Sequence, residues 1–331
     1  MILKKLITRR RNNMWAIIQQ IFPYAVAYTI PLLMTALGAL YCERSGIINI
    51  GLDGFMIVGS FAGALTISKL QDSMGAASNL PLWIGLVVAI IAGMLFSLLH
   101  AFASINLNAD QTISGTAINM MAGAVTIFLA RTVTGSGRIR ITNGFYPIDI
   151  PVLSQIPIIG DLLFKKTYIT TWVSLAILLL STFLIYKTRF GLRLRSCGEH
   201  PQASDAAGIN VHRMRYIGVL LSGGLSSFAG AIMLVTYSGE FNGSVAGLGF
   251  LALAALIFGQ WKPMGILAAT LFFGFATTVA NVSQVIPALG SIPLVVLKVF
   301  PYVATLLALV IFSKSSRAPK AEGEPFDSGK R

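Results

Sequence analysis

YCERSGIINIGLDGFMIVGS, residues 41–60, is apolar enough to sit in a membrane, yet it carries Glu43, Arg44, Asn49 and Asp53 with Gly46, Gly51, Gly54 and Gly59 between them. A plain lipid-facing helix has no use for that mixture. Charge at membrane depth is costly and faces protein or a watery cavity. Glycines there let backbones approach closely or let a helix break. Two readings follow from the residues alone. One is a broken helix beside a transport pathway. The other is a short loop at the membrane surface, with Glu43 and Arg44 paired among headgroups.

The composition of the whole chain supports the membrane. Of 331 residues, 55% are hydrophobic and only 11% are charged, and the mean hydropathy is +0.76. Soluble domains carry about 25% charged residues. A span needs about 20 apolar residues, so the chain has room for about 8–10 spans and no separate soluble domain. The expected fold class is all-α: a polytopic integral membrane protein with broken or re-entrant segments and a weak internal repeat.

The net charge of +13 does not point to nucleic acid. Basic residues fall in short clusters between apolar runs, at Lys4–Arg11, Lys187–Arg195, Arg213–Arg215 and Lys314–Lys320. Such clusters hold loops on the cytoplasmic side. A nucleic-acid surface needs a soluble basic face with stacking aromatics, and none is visible. The two cysteines, Cys42 and Cys197, lack metal-ligand spacing and are expected to be inert.

Apolar runs predict spans over Trp15–Leu40, Ile47–Ser68, Pro81–Ser104, Ile113–Val133, Tyr168–Tyr186, Tyr216–Tyr237, Leu248–Phe258, Pro263–Gln284 and Val295–Phe312. Residues 1–14 are expected as a cytoplasmic N-terminus and 15–313 as the membrane domain. Within it, 134–167 reads as an external loop with a short helix near Ile159–Phe164, and 187–215 as a cytoplasmic loop. Residues 314–331 read as a disordered cytoplasmic tail. Pro201–Ala207 reads as a short helix with proline at its first position and Gly208 as its stop. His100 reads as a hydrogen-bonded or interfacial histidine, and Asn119, inside an apolar run, must bond a neighbouring helix or a solute.

Parity sharpens the opening stretch. The N-terminus, the 187–215 loop and the tail are all basic, which places all three in the cytoplasm. Five apolar segments separate the first two, so one is expected to be re-entrant or to make two short crossings, and Ile47–Ser68 is the best candidate. A weak echo accompanies it: GLDGFMIVGSFAG at 51–63 resembles GLGFLALAALIFG at 247–259, and each precedes a polar turn and a span opening with proline. Short, glycine-interrupted segments in two halves point to a transporter's midplane site.

The missing motifs narrow the function. There is no G-x-x-x-x-G-K-[ST], H-E-x-x-H, G-x-S-x-G or C-x-x-C, so neither ATP hydrolysis by a phosphate-cradling loop nor familiar hydrolytic or metal chemistry is encoded. No cofactor and no metal are expected. What remains is a pore whose energy source lies elsewhere, with one large cytoplasmic loop able to receive force.

Four stretches carry a resemblance: ERSGIINIGLDGFMIVGSFAG at 43–63, NADQTISGTAINMMAG at 108–123, FGLRLRSCGEHPQASDAAGINV at 190–211 and GLGFLALAALIFGQWKPMG at 247–265. Over nearly its whole length the chain resembles permease subunits of ATP-binding-cassette importers, in the family that includes ribose and branched-chain amino acid permeases. It is most similar to the nucleoside-type members that work with basic-membrane-protein lipoproteins. The resemblance implies a non-enzymatic pore subunit in a prokaryotic plasma membrane. Its implied partners are a second permease subunit, a cytoplasmic ATP-binding subunit and an external solute-binding lipoprotein. It further implies that Glu199, Pro201, Ala206, Ala207 and Gly208 shape a segment that docks on the ATPase, and that the opening stretch lines the pathway. Candidate pathway residues are Asn49, Asp53, Asn119, Glu240 and Asn242, and a helix-to-helix structural role is the competing reading for each asparagine. The alternatives in function are a ribose-type sugar permease, or a secondary transporter or channel working alone.

Overall fold

Long apolar runs give long helices. The computed structural model of the chain describes residues 2–75, 77–158, 160–282, 293, 295–297, 299–300, 303 and 318–327. Among these, six helical stretches are long and apolar enough to cross a membrane: Ile21–Arg44, Leu80–Asn106, Gln111–Thr134, Ile169–Lys187, Val211–Ser238 and Pro263–Asn281. The helices are α1 (Ile2–Arg44), α2 (Leu52–Met74), α3 (Leu80–Ala101), α4 (Gln111–Thr134), α5 (Ile169–Lys187), α6 (Arg189–Glu199), α7 (Pro201–Ala206), α8 (Val211–Met233), α9 (Leu248–Phe258) and α10 (Pro263–Val282). The predicted last span, 295–312, lies almost entirely outside the described residues.

Local chemistry sets several starts. Asp110 Oδ1 accepts the Thr112 and Ile113 amides at 2.8 and 2.9 Å and opens α4, as an N-cap carboxylate should. Thr188 caps α6 through Gly191 and Asn210 caps α8 through Arg213. Pro81 falls in the first turn of α3, where its missing N–H costs nothing.

α1, α2 and α8 make the centre. The apolar windows of α1 and α8 are 89% and 72% buried, against 28–33% for α3, α4 and α5. The outer helices present Val87, Ile91 and Leu95, then Ile113, Met120 and Phe128, then Leu179, Leu180 and Phe183. Outward apolar residues on helices of spanning length face lipid. Small residues let the central helices touch: Gly59 of α2 and Gly93 of α3 both abut Ser227 of α8, so closely that a β-carbon at either glycine would overlap it. The Ser227 hydroxyl donates to the Phe55 carbonyl at 2.6 Å. Gly59 and Gly63, the G-x-x-x-G of the sequence, thus meet Ser227 and Ala231 of α8, the close packing that small residues permit in membranes.

At one end of the bundle a two-stranded antiparallel ribbon joins β1 (Ile139–Arg140) to β2 (Glu240–Phe241). Gln71, near the end of α2, clamps the loop beside it by accepting the Thr142 amide at 2.9 Å and donating to the Asn143 carbonyl at 2.7 Å. α6 and α7 lie at the opposite end.

Three expectations change here. First, Ile47–Ser68 is not re-entrant. Its polar start joins the α6–α7 end and its helix α2 rises to Gln71 at the ribbon end, so it crosses. The discontinuous crossing is 241–261. Phe241 lies against Phe61 with ring centroids 5.5 Å apart, and the Gly249 amide reaches Asp53. The chain therefore descends beside α2 by about 12 Å at 1.5 Å per residue before the 11-residue α9 completes the passage. Second, α1 is longer than the predicted first span Trp15–Leu40, running unbroken from Ile2 to Arg44. Gln19 of α1 donates to Asp161 of the 134–167 loop at 2.8 Å, whereas Arg44 at the other end of α1 meets Glu199. Third, the expected disorder of 314–331 does not hold for residues 318–327. Ala321 and Phe326 are each only 5% exposed, and the segment is tied to three other elements.

Candidate functional site

Residues 45–51 break the chain between α1 and α2. Gly46, at φ +95°, turns it in a conformation that side chains with a β-carbon resist. The extended residues that follow leave backbone groups unpaired inside the bundle, and each unmet group there costs free energy. Side chains from elsewhere meet them. The Ile48 amide donates to Gln111 Oε1 at 2.7 Å, and the Ile48 carbonyl lies 3.0 Å from His100 Nε2. Asn119 spans the break: Nδ2 donates to the Ile50 carbonyl at 2.9 Å and Oδ1 accepts the Gly54 amide at 2.7 Å. Asn49, fully buried, accepts the Gly51 amide at 3.0 Å and donates to Ser222 Oγ at 2.9 Å.

The polar run 110–119 is thereby explained. Its side chains complete the backbone of the opening stretch. His100, also bonded to Ser114 Oγ at 2.9 Å, is the hydrogen-bonded histidine expected.

Asp53 links the two echoing stretches. Its Oδ1 accepts the Gly249 amide at 2.6 Å, so the starts of α2 and α9 meet head to head. Gly249 packs so tightly on the Asp53 backbone that a β-carbon would collide with it. A carboxylate at two helix starts is favoured by both helix dipoles.

The structure thus gathers Asn49, Asp53 and Asn119 around one break and places Glu240 and Asn242 elsewhere. Glu240 lies in the ribbon, 3.6 Å from Arg138 and 3.3 Å from Arg140. Asn242 turns the next residues by accepting the Ser244 amide at 3.1 Å.

A second cluster lies at the α6–α7 end. Glu43 is 4% exposed and accepts the Trp261 indole N–H. Arg44 donates to the Trp261 carbonyl at 2.9 Å and pairs with Glu199 Oε1 at 3.7 Å. Glu43 and Arg44 are therefore a buried fastening between α1, the α9–α10 turn and the tip of α6, not a headgroup pair. Gly198 lies against the Arg44 carbonyl with no room for a β-carbon. Glu322 of the tail shares a hydrogen bond with Glu43. Burial pushes the Glu322 carboxyl above its ordinary range, while that bond and Arg44 pull it back.

Beyond Glu199 the chain makes the short projecting helix that the sequence predicts. Pro201 and Ser204 face inward, whereas Gln202, Ala203, Asp205, Ala206, Ala207 and Gly208 are exposed. Gly208, at φ +78° with its amide on the Asp205 carbonyl at 2.8 Å, turns the chain out of the helix. Small exposed side chains on a capped, anchored turn make a knob that can fill a groove. Sequence reasoning missed α6 as a helix, Trp261, Gly198 and the tail. The K/R spacing in 189–195 masked the helical period of α6. Nothing local marks the other three, whose roles depend on distant partners.

Comparison with known proteins adds the following. Residues 22–312 match the family described as branched-chain amino acid transport system, permease component. The chain is 44% identical to the guanosine ABC transporter permease protein NupQ of Bacillus subtilis (strain 168), over 95% of this chain and 98% of that protein. It is 40% identical to the nucleoside ABC transporter permease protein NupC of Lactococcus lactis subsp. cremoris (strain MG1363), over 92% of this chain and 96% of that protein. It is 26% identical to a second Bacillus subtilis (strain 168) protein, the guanosine ABC transporter permease protein NupP, over 78% of this chain and 70% of that one. No solved structure matches.

Proposed function

The chain belongs to the branched-chain amino acid transport permease family, and from that premise we propose that it forms half of the membrane pathway of a bacterial nucleoside importer driven by a separate ATPase. It is a multi-pass membrane protein and not an enzyme. The observation that carries the reading is the exposed α7 knob, anchored through Glu199 and Arg44 to the α9–α10 turn. A movement imposed on α7 by a hydrolysing partner reaches α9, and through the Gly249–Asp53 contact it reaches the break. Alternating access then amounts to two arrangements of these packed elements, biased by nucleotide.

In this reading Glu199, Pro201, Ala206, Ala207 and Gly208 belong to the docking element. The α6–α7 end and the tail face the cytoplasm, and the ribbon and the start of α1 face outward, where a solute-binding lipoprotein delivers its cargo. A second permease related to the NupP type supplies the other half. Asp53 and Asn119, both partly exposed, are the residues that meet solute near the break, while Asn49 holds the backbone. Glu240 and Asn242 belong to the outer mouth.

The test is uptake of labelled guanosine by vesicles holding this chain with its second permease, ATPase and binding protein. Uptake that requires ATP and is competed by other nucleosides, not by ribose or glucose, is expected. Uptake by this chain alone on an ion gradient, or competition only by sugars, overturns the proposal.

A further inference from the structure

The tail segment 318–327 spans the cytoplasmic cluster. The Ala321 amide donates to the Gly198 carbonyl at 2.9 Å, at the tip of α6. Two residues on, the Gly323 amide donates to the Gly46 carbonyl at 3.1 Å, at the α1–α2 break. Arg215 of α8, 1% exposed, donates to the Glu324 carbonyl at 3.0 Å. Phe326 then fills the start of α8, edge-on to His212 at 5.4 Å and beneath the Arg215 guanidinium at 6.0 Å. Ten residues thus tie together the tip of α6, the α1–α2 break and the start of α8.

The fastening includes two backbone hydrogen bonds, one guanidinium–carbonyl bond, one aromatic ring and the hydrogen bond that the Glu322 carboxyl shares with Glu43. Apart from Ala321 and Phe326 the segment is rich in charge, with Lys320, Glu322, Glu324 and Asp327, so it stays soluble when detached. Docking also has an opposing cost. Arg215 Nε and Nη2 are buried without partners beneath it, and release of the segment lets water reach them. Unpaired buried donors are expensive, which works against the docked state.

We propose that residues 318–327 are a strap that positions the coupling hairpin α6–α7 against the α1–α2 break, docked in one state of the transport cycle and released in the other, so that the strap restrains idle ATP hydrolysis. This rests on the reading of α7 as the ATPase-docking element.

The test uses the complete reconstituted complex, in two arms. In the first, a chain ending at residue 317 and the variant Phe326→Ala are compared with wild type, whose ATP-driven guanosine uptake serves as the control. If wild type takes up no guanosine, the functional reading fails; the strap is judged separately. The expected result is basal ATPase activity, without binding protein, raised about fivefold or more in the truncated chain, the lower end of an ordinary coupling free energy. Guanosine moved per ATP falls in parallel, and Phe326→Ala moves both values in the same direction. In the second arm, hydrogen exchange at Ala321 and Gly323 is measured with and without vanadate-trapped nucleotide. Protection without nucleotide and fast exchange when trapped is expected. Equal protection in both states, or an unchanged ratio of transport to ATP in assembled variants, overturns the proposal. If the truncated chain does not assemble, Phe326→Ala and the exchange data decide.

Discussion

Arg44→Met leaves the complex hydrolysing ATP while guanosine moved per ATP falls about tenfold or more, equivalent to about 1.4 kcal/mol of lost coupling. Methionine keeps an apolar stem like that of arginine, so packing in the crowded site is largely preserved. It removes both polar links at once: the 2.9 Å bond to the Trp261 carbonyl and the 3.7 Å pair with Glu199. Stability changes little by comparison, because Glu199 is 40% exposed and is rehydrated when its partner is lost. The functional effect is larger because this side chain bridges the tip of α6 and the α9–α10 turn. Arg44→Lys reaches one partner but not both and falls between. If the pair acts as one link, Glu199→Gln added to Arg44→Met costs nothing further. Normal guanosine-per-ATP stoichiometry in Arg44→Met, measured with equal amounts of assembled complex, removes the residue from the coupling route.

Gly59→Leu is expected to destabilise the fold strongly. The new side chain starts inside the Ser227 backbone, where α2 and α8 touch. The helices must separate, and separation also strips the Ser227–Phe55 bond and the Gly93 contact on the same serine. Overpacking a rigid interior costs about 1–3 kcal/mol and occasionally more, and here the obstruction is backbone that cannot rotate away. A drop of several degrees in the thermal midpoint of the purified chain, with most protein aggregated in detergent, is the expected measurement. Gly123→Leu is the control, because Gly123 has open space around its α-carbon and the new side chain points outward from α4. Equal midpoints for the two variants contradict the assigned role of the α2–α8 contact.

What the sequence discloses divides along a physical line. Features set within one short stretch are legible. The predicted span Leu248–Phe258 coincides with α9, and Pro201 with Gly208 delimits α7. Asn119, inside an apolar run, reads as needing a partner on a neighbouring helix or a solute, and it bonds the Ile50 carbonyl and the Gly54 amide. Features that depend on a distant partner are not legible. Glu43 and Arg44 read equally as a surface pair, because Trp261 lies 218 residues away in the chain. The tail reads as disordered on composition, since its order comes from Gly46, Gly198 and Arg215 rather than from its own apolar content. Glu240 reads as a candidate pathway residue in the sequence, and only the antiparallel ribbon reveals Arg138 and Arg140 beside it.

The central claim is that α7 receives the force of the ATPase. Single cysteines at Ala206 and Ala207, both exposed, test it directly by cross-linking to the ATPase subunit in the assembled complex. The account predicts that both positions form the cross-link, with a yield that changes on nucleotide trapping. Cysteines at Ser136 or Tyr146, exposed at the ribbon end, should form none. Cross-links absent from α7 in a complex that still transports guanosine contradict it.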